Sequence, residues 1–281
     1  MTMQTFNHFS NLSGMPDSYI DLSESALHLC LLDTPGLDMD YYLEQLDIYA
    51  ATIEHALPVE HNQRQVIDAM NHYLFEELAF CGNLEDYENP ENSCLATVID
   101  TKKGIPITLS LLYMEVGRRL GLAIQGVSFP GHFLVKAQID GQQIFLDPFV
   151  SGCTISHEEL DARLLRHYGE DAPTVKKNPE LLRTASRREI LIRMLRNLKK
   201  AYMDLLNFEK ALTFIELVLT LEPDSAYDIR DRGMIYQHIE YPGAALKDLE
   251  RYLELEPDAP DRRAILSFID SLSDITLPPL H

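Results

Sequence analysis

Basic residues are scarce in this sequence: 24 lysines and arginines stand against 44 aspartates and glutamates, a formal net charge of -20. A phosphate backbone is bound by a basic face that releases counterions, so no nucleic-acid partner is expected. Cysteine is also sparse. Cys30, Cys81, Cys94 and Cys153 form no CxxC pair and are too few for a disulfide scaffold in 281 residues, so reduced thiols are expected. No apolar run reaches bilayer length, and "MTMQTFNHFSNLSG" lacks a basic leader followed by an apolar core. The reading is a cytoplasmic chain without a membrane segment. GxGxxG, P-loop and HExxH patterns are missing, and no histidine and cysteine spacing suggests zinc, so neither cofactor nor metal is expected. Apolar residues, in contrast, make up 46% of the chain, enough for a substantial core and two domains.

The clearest internal order is a repeat. Residues 190–223 and 224–257 are both 34 long and both end in "LEP"; in register, Tyr202 matches Tyr236, Ala211 matches Ala245 and Pro223 matches Pro257. These are the positions of a tetratricopeptide repeat: an aromatic on the first helix, a small residue at the helix crossing and a closing proline. Gly233 supplies the small residue of the second repeat's first helix, where the first repeat has Lys199. "DRRAILSFIDSL" then reads as a capping helix over 258–272. A protein or peptide partner is expected at these repeats, with Tyr202, Tyr236, Arg196 and Lys199 as candidate contacts. The last two belong to a basic cluster, Arg187, Arg188, Arg193, Arg196, Lys199 and Lys200, which fits either an intramolecular face or an acidic partner.

The proline- and charge-rich stretch "GEDAPTVKKNPE" places a linker at 171–182. It separates a first domain, 36–170, from the repeat module, 183–281, with 1–35 as an N-terminal segment. That segment is weakly patterned, with one short helix near 23–32. Leu43, Leu46, Ala50, Ile53 and Leu57 alternate steps of three and four, giving an amphipathic helix over 39–57; Val66, Ile67, Met70, Tyr73, Leu74 and Leu78 give a second over 63–79. The acidic "CGNLEDYENPENS" follows as a loop.

"TKKGIPITLSLLYMEVGRRLGL", 101–122, predicts a third helix with legible ends. Pro106 suits the first helical position, because its missing N–H would have no intrahelical partner there. Arg118, Arg119 and Gly121 favour a C-terminus. Between them the apolar residues run nearly all round, as in a helix central to its domain. "FLVKAQI" and "QQIFLDPF" flank Asp140-Gly141, a hairpin signal. Counting outward from the turn sets His132 opposite Phe149 and makes Asp147 its diagonal neighbour. Ser156 with Glu159 opens a closing helix by a capping box.

A buried helix followed by a hairpin bearing histidine and aspartate resembles the transglutaminase-like, papain-related fold, an α+β class with a central helix and an antiparallel sheet. The whole layout, "NSCLATVIDTKKGIPITLSLLY…FPGHFLV…FLDPF" plus two repeats, resembles the bacterial SirB family over roughly 35–257. In the fold's enzymes a cysteine opens the helix, the histidine and the macrodipole favour its thiolate, and the aspartate orients the imidazole. Gly104, Ser110, Arg118 and Gly121 set that register, and it puts Pro106 at the cysteine's place.

The resemblance therefore implies the fold, the His132 and Asp147 positions and the repeats, without a nucleophile. Two readings of His132 and Asp147 follow: a relic pair that stabilises the hairpin of a binding, adaptor or regulatory protein, or a surviving base and orienter in a hydrolase or acyltransferase with an unrecognised nucleophile. Ser110, one turn deeper, is expected to turn its hydroxyl into the packing. Cys94 and Cys153 lack the helix-terminus setting that activates a thiol. The oligomeric state stays open.

Overall fold

A computed structural model of the chain describes residues 2–276. In chain order its elements are α1 (Thr2–Ser13), α2 (Leu22–Cys30), α3 (Met39–Ala56), α4 (Gln63–Asn71), β1 (Cys81–Gly82), α5 (Leu95–Thr101), β2 (Lys103–Gly104), α6 (Pro106–Arg119), β3 (Ile124–Val127), β4 (Leu134–Ile139), β5 (Gln142–Asp147), β6 (Cys153–Ile155), α7 (His157–Tyr168), α8 (Arg187–Asp204), α9 (Phe208–Leu221), α10 (Ala226–His238), α11 (Pro242–Leu255) and α12 (Arg262–Thr276). They form two compact units, one holding the residues up to His8 and Met15–Met194, the other Phe9–Gly14 and the residues from Leu195 on.

The first unit is a transglutaminase-like α+β domain. Its β3-β4-β5-β6 sheet is antiparallel throughout, and β1 pairs with β2 in parallel. The hairpin register is the one counted from the sequence: Ile139 pairs with Gln142, and Asp140 and Gly141 both have positive φ, 50° and 80°. That is the primed turn whose twist matches paired strands. One face of the sheet joins α7 in a core of Val127, Phe129, Leu134, Phe145, Leu160 and Leu164. Val175, within the segment read as a linker, belongs to the same core, and Lys136 Nζ donates to Leu182 O at 2.7 Å.

Helix α6 is buried over nearly its whole length, from Pro106 through Gly117, Met114 alone being less enclosed. Its N-cap is Ile105, which has no polar side chain; instead Thr108 Oγ1 accepts from Ile105 N at 3.2 Å and donates to Asn92 O at 2.6 Å. The acidic loop is thereby fastened to the helix start, since Asn92 Nδ2 also donates to Asp86 O and Tyr87 O.

Three expectations are corrected. Residues 2–13, in the segment read as weakly patterned with a helix only near 23–32, form α1, with Thr5, Phe9 and Leu12 buried at helical spacing. The helix over 63–79 is α-helical only to Asn71; it continues as a π-helical turn, His72–Glu77, in which Leu78 N donates to Tyr73 O at 2.9 Å. And Cys30 and Cys94 are paired in a disulfide, leaving Cys81 and Cys153 free. Packing of α2 beside α5 brings their Cα atoms to 5.3 Å, within disulfide reach, across 64 residues of sequence.

Between α1 and α2 the rings of His8 and His28 stack with centroids 3.9 Å apart. Burial, then the charge of His28, push His8 down to about 4 against the raising effect of Asp21; burial likewise lowers His28 against Glu24. Both are depressed below the unfolded value of about 6.5, so the stability they contribute is complete above that pH and is lost as the pH falls below it, for His8 towards about 4. Thermal melting is expected to decline over that window, and His8→Asn should flatten the decline; equal slopes for parent and variant would contradict it.

The second unit follows tetratricopeptide architecture. α10, α11 and α12 enclose Ala226, Ala245, Leu249, Tyr252, Leu253 and Ile265. A Cβ added at Gly233 would lie 3.1 Å from Leu249 Cγ, which is why the crossing needs a small residue there.

Candidate functional site

Asp147 ends β5 and is fully buried, with no exposed surface. His132 Nε2 lies 2.9 Å from its Oδ2 and 3.0 Å from its Oδ1. The carboxylate also accepts from Arg163 Nη1 at 2.7 Å and from Phe149 N at 3.0 Å. Burial alone would raise its pKa; the hydrogen bonds and charges of His132 and Arg163 outweigh that and hold it below the usual carboxylate range. The structure thus brings His132 and Asp147 together, as the counted register requires, and adds Arg163.

The scaffold around the pair explains its geometry. Tyr113, at the centre of α6, donates to Asn71 Oδ1 at 2.8 Å; Asn71 Nδ2 donates to Gly152 O at 3.1 Å, and Gly152 N donates to Asp147 O at 2.9 Å. Gly152 has φ +68°, and a Cβ there would meet Asn71 Oδ1 at 2.1 Å, so only glycine fits this turn. On the histidine side, Arg193 donates to His132 O at 2.7 Å, Phe129 O at 3.3 Å and Ser128 Oγ at 2.6 Å, with its guanidinium over the Phe133 ring. The loop before β4 is held from behind. Phe149 stands edge-on to His132, with ring centroids 5.8 Å apart, and packs so closely over Gly82 that a Cβ there would lie 2.4 Å from it.

His132 is 17% exposed and faces an open depression of about 400 Å³ shared with Arg163, Arg166 and His167. Its Nε2 is engaged with Asp147, so Nδ1 is the ring nitrogen left for a ligand. Pro106 opens α6 and brings no ionisable atom. Ser110 is fully buried, its hydroxyl 3.5 Å from Phe133 O, inside the packing.

The candidate partner contacts lie in the second unit. Arg196 donates to Asp228 and Glu222 at 2.8 and 2.7 Å, and Lys199 donates to Asp228 and Asp231 at 2.7 Å each. Tyr202 stacks on Phe214, and Tyr236 is half-buried beside Arg232 and Glu216. The rest of the basic cluster is also bound within the chain: Arg187 donates to Ser18 O and Ile20 O, Arg188 to Met15 O, and Lys200 to Asp204. Asp17 accepts from the first two N–H groups of α8, capping it.

Arg163 and Asn71 are site residues that sequence reasoning missed, and Arg193, read there only as one of a basic cluster, holds the loop of His132. Arg163 left a faint signal: it sits between the apolar Leu160 and Leu164 in α7, at the edge of the buried face, where a cation needs an anion.

These features have counterparts in known proteins. Residues 40–196 match the transglutaminase-like superfamily, and residues 198–270 match a tetratricopeptide repeat family. The chain is a member of the transglutaminase-like superfamily, extended by tetratricopeptide repeats. Among its relatives, a UPF0162 protein of Xylella fastidiosa strain Temecula1 is 35% identical over 249 residues, 89% of either chain. A UPF0162 protein of Vibrio cholerae is 31% identical over 272 residues, 96% of this chain and 99% of its own. Human F-box only protein 21 is 30% identical over 189 residues, 63% of this chain and 28% of that protein.

Proposed function

We propose that the chain is a catalytically inactive transglutaminase-like protein of the SirB type, a cytoplasmic adaptor or regulatory protein that binds protein partners through its cleft and its repeats. The observation that carries this reading is Pro106 at the start of α6, where a papain-like site needs a thiolate. Arg163 supports it: its guanidinium shares the Asp147 carboxylate that would otherwise orient the imidazole alone. Tetratricopeptide repeats are protein-interaction modules in general, and Tyr236 is the half-buried aromatic we assign to a peptide contact. Among the described residues no helix is long and apolar enough to cross a membrane.

A second reading, a hydrolase or acyltransferase using His132 and Asp147, is favoured by one observation. Cys153 is an exposed free thiol on β6, paired in register with Asp147. Thiol-directed and fluorophosphonate probes separate the two. Labelling of Cys81 and Cys153 at a rate unchanged by His132→Ala is expected; labelling abolished by that substitution would establish the enzyme reading instead.

A further inference from the structure

The strongest feature outside the cleft is the contact between α1 and α2. We propose that His8, Glu24 and His28 form a binding site for a divalent transition-metal ion, with Zn²⁺ the best fit, that fastens α1 to α2. One ligand atom from each of the three lies within 4.8 Å of the others. Two imidazoles and one carboxylate are a set that Zn²⁺ accepts, with water completing the shell on the side of exposed Glu24.

Local chemistry prepares each ligand. Glu24 and His28 are four residues apart on α2 and so share a face. Ser25 Oγ donates its only proton to Asp21 O at 2.6 Å, so at 3.0 Å from His8 Nε2 it acts as acceptor. His8 is therefore the Nε2–H tautomer, and its lone pair is on Nδ1. A second-shell oxygen holding the other ring nitrogen of a ligating histidine is the usual arrangement at metal centres. His28 is 7% exposed, and its Nδ1 is buried without a hydrogen-bond partner among the described residues. A buried polar atom left in that state calls for an occupant the protein does not supply. Thr5 Oγ1 donates to His28 O at 3.0 Å, which pins α1 beside α2 at this level.

In the structure the two rings stack at an interplanar angle of 22°. A shared ion must lie near both ring planes, and tetrahedral bonds of about 2.0–2.1 Å put ligand atoms about 3.4 Å apart. Binding therefore turns the His28 ring about its Cβ–Cγ bond and draws the three side chains together. Among the described residues no hydrogen bond at His28 Nδ1 opposes the turn. Sequence spacing hid the site because its ligands come from two helices and fit no short motif.

The test uses the full chain, stripped with a chelator and titrated with ZnCl₂ by calorimetry. One zinc per chain is expected at this site, with melting raised by mass action. His8→Gln and His28→Gln should each weaken binding about tenfold or more, and Glu24→Gln should weaken it too. Glu24 is exposed, so its variant keeps the fold intact even if the histidine variants do not. His72→Gln, which alters the exposed His72, Glu76 and Glu77 group, should leave the affinity unchanged. Zinc binding equal to that of the parent in Glu24→Gln and in folded His28→Gln would overturn the proposal, as would no binding to the parent chain.

Discussion

Asp147→Ala is expected to cost about 3 kcal/mol of stability, the low end of what removing one partner of a buried ion pair costs. The carboxylate has no exposed surface and accepts from His132, Arg163 and Phe149 N, so its loss leaves an imidazole, a guanidinium and an amide to find other partners. The figure stays at the low end because His132 and Arg163 are 17% and 23% exposed and can reach water. His132→Ala should cost less, about 1 kcal/mol, since Arg163 stays on the carboxylate. Asp147 has a depressed pKa in the fold, so its contribution is complete above the unfolded value of about 4 and disappears as the pH falls below it. Urea unfolding at pH 7 and at pH 3 measures both effects. An Asp147→Ala midpoint equal to the parent's at pH 7 would show that the node is not structural.

How far this site could be read in the sequence depends on the range of each interaction. Asp140-Gly141 fixes a two-residue turn, so counting outward gives the ladder as far as Val135 with Leu146, and His132 and Asp147 meet just beyond that end. The start of α6 is equally local, because proline and the residue before it have few backbone choices. Arg163 is different. It reaches Asp147 from α7, and its approach depends on how Leu160 and Leu164 seat that helix on the sheet, which no local pattern encodes. Cys30 with Cys94 and His8 with His28 were hidden for the same reason, each pair being joined only by helix packing. Helix α1 escaped because polar residues fill most of it, with Thr5 taking a core position usually held by an apolar side chain.

The repeat module contains one local departure from pattern, Lys199 where its counterpart in the second repeat is Gly233, and the structure gives it a physical role. Lys199, 9% exposed, donates to Asp228 and Asp231 on α10, while Arg196 and Ser225 also donate to Asp228, which is 1% exposed. Burial would raise the Asp228 carboxyl, but Lys199 and Arg196 hold it below the usual range. Asp228→Ala is therefore expected to destabilise this unit by about 3 kcal/mol, because two cations lose their buried anion together. Lys199→Ala should cost about 1 kcal/mol, since Arg196 still neutralises Asp228 and Asp231 is 20% exposed. The pair Lys199→Met with Asp228→Leu should recover much of the loss, as replacing both members of a buried ion pair by apolar groups often does. Amide exchange along residues 195–204 of α8 and along α10 reports this unit. A coupling energy near zero across the double-mutant cycle would mean that Lys199 fills its position without holding α10 in place.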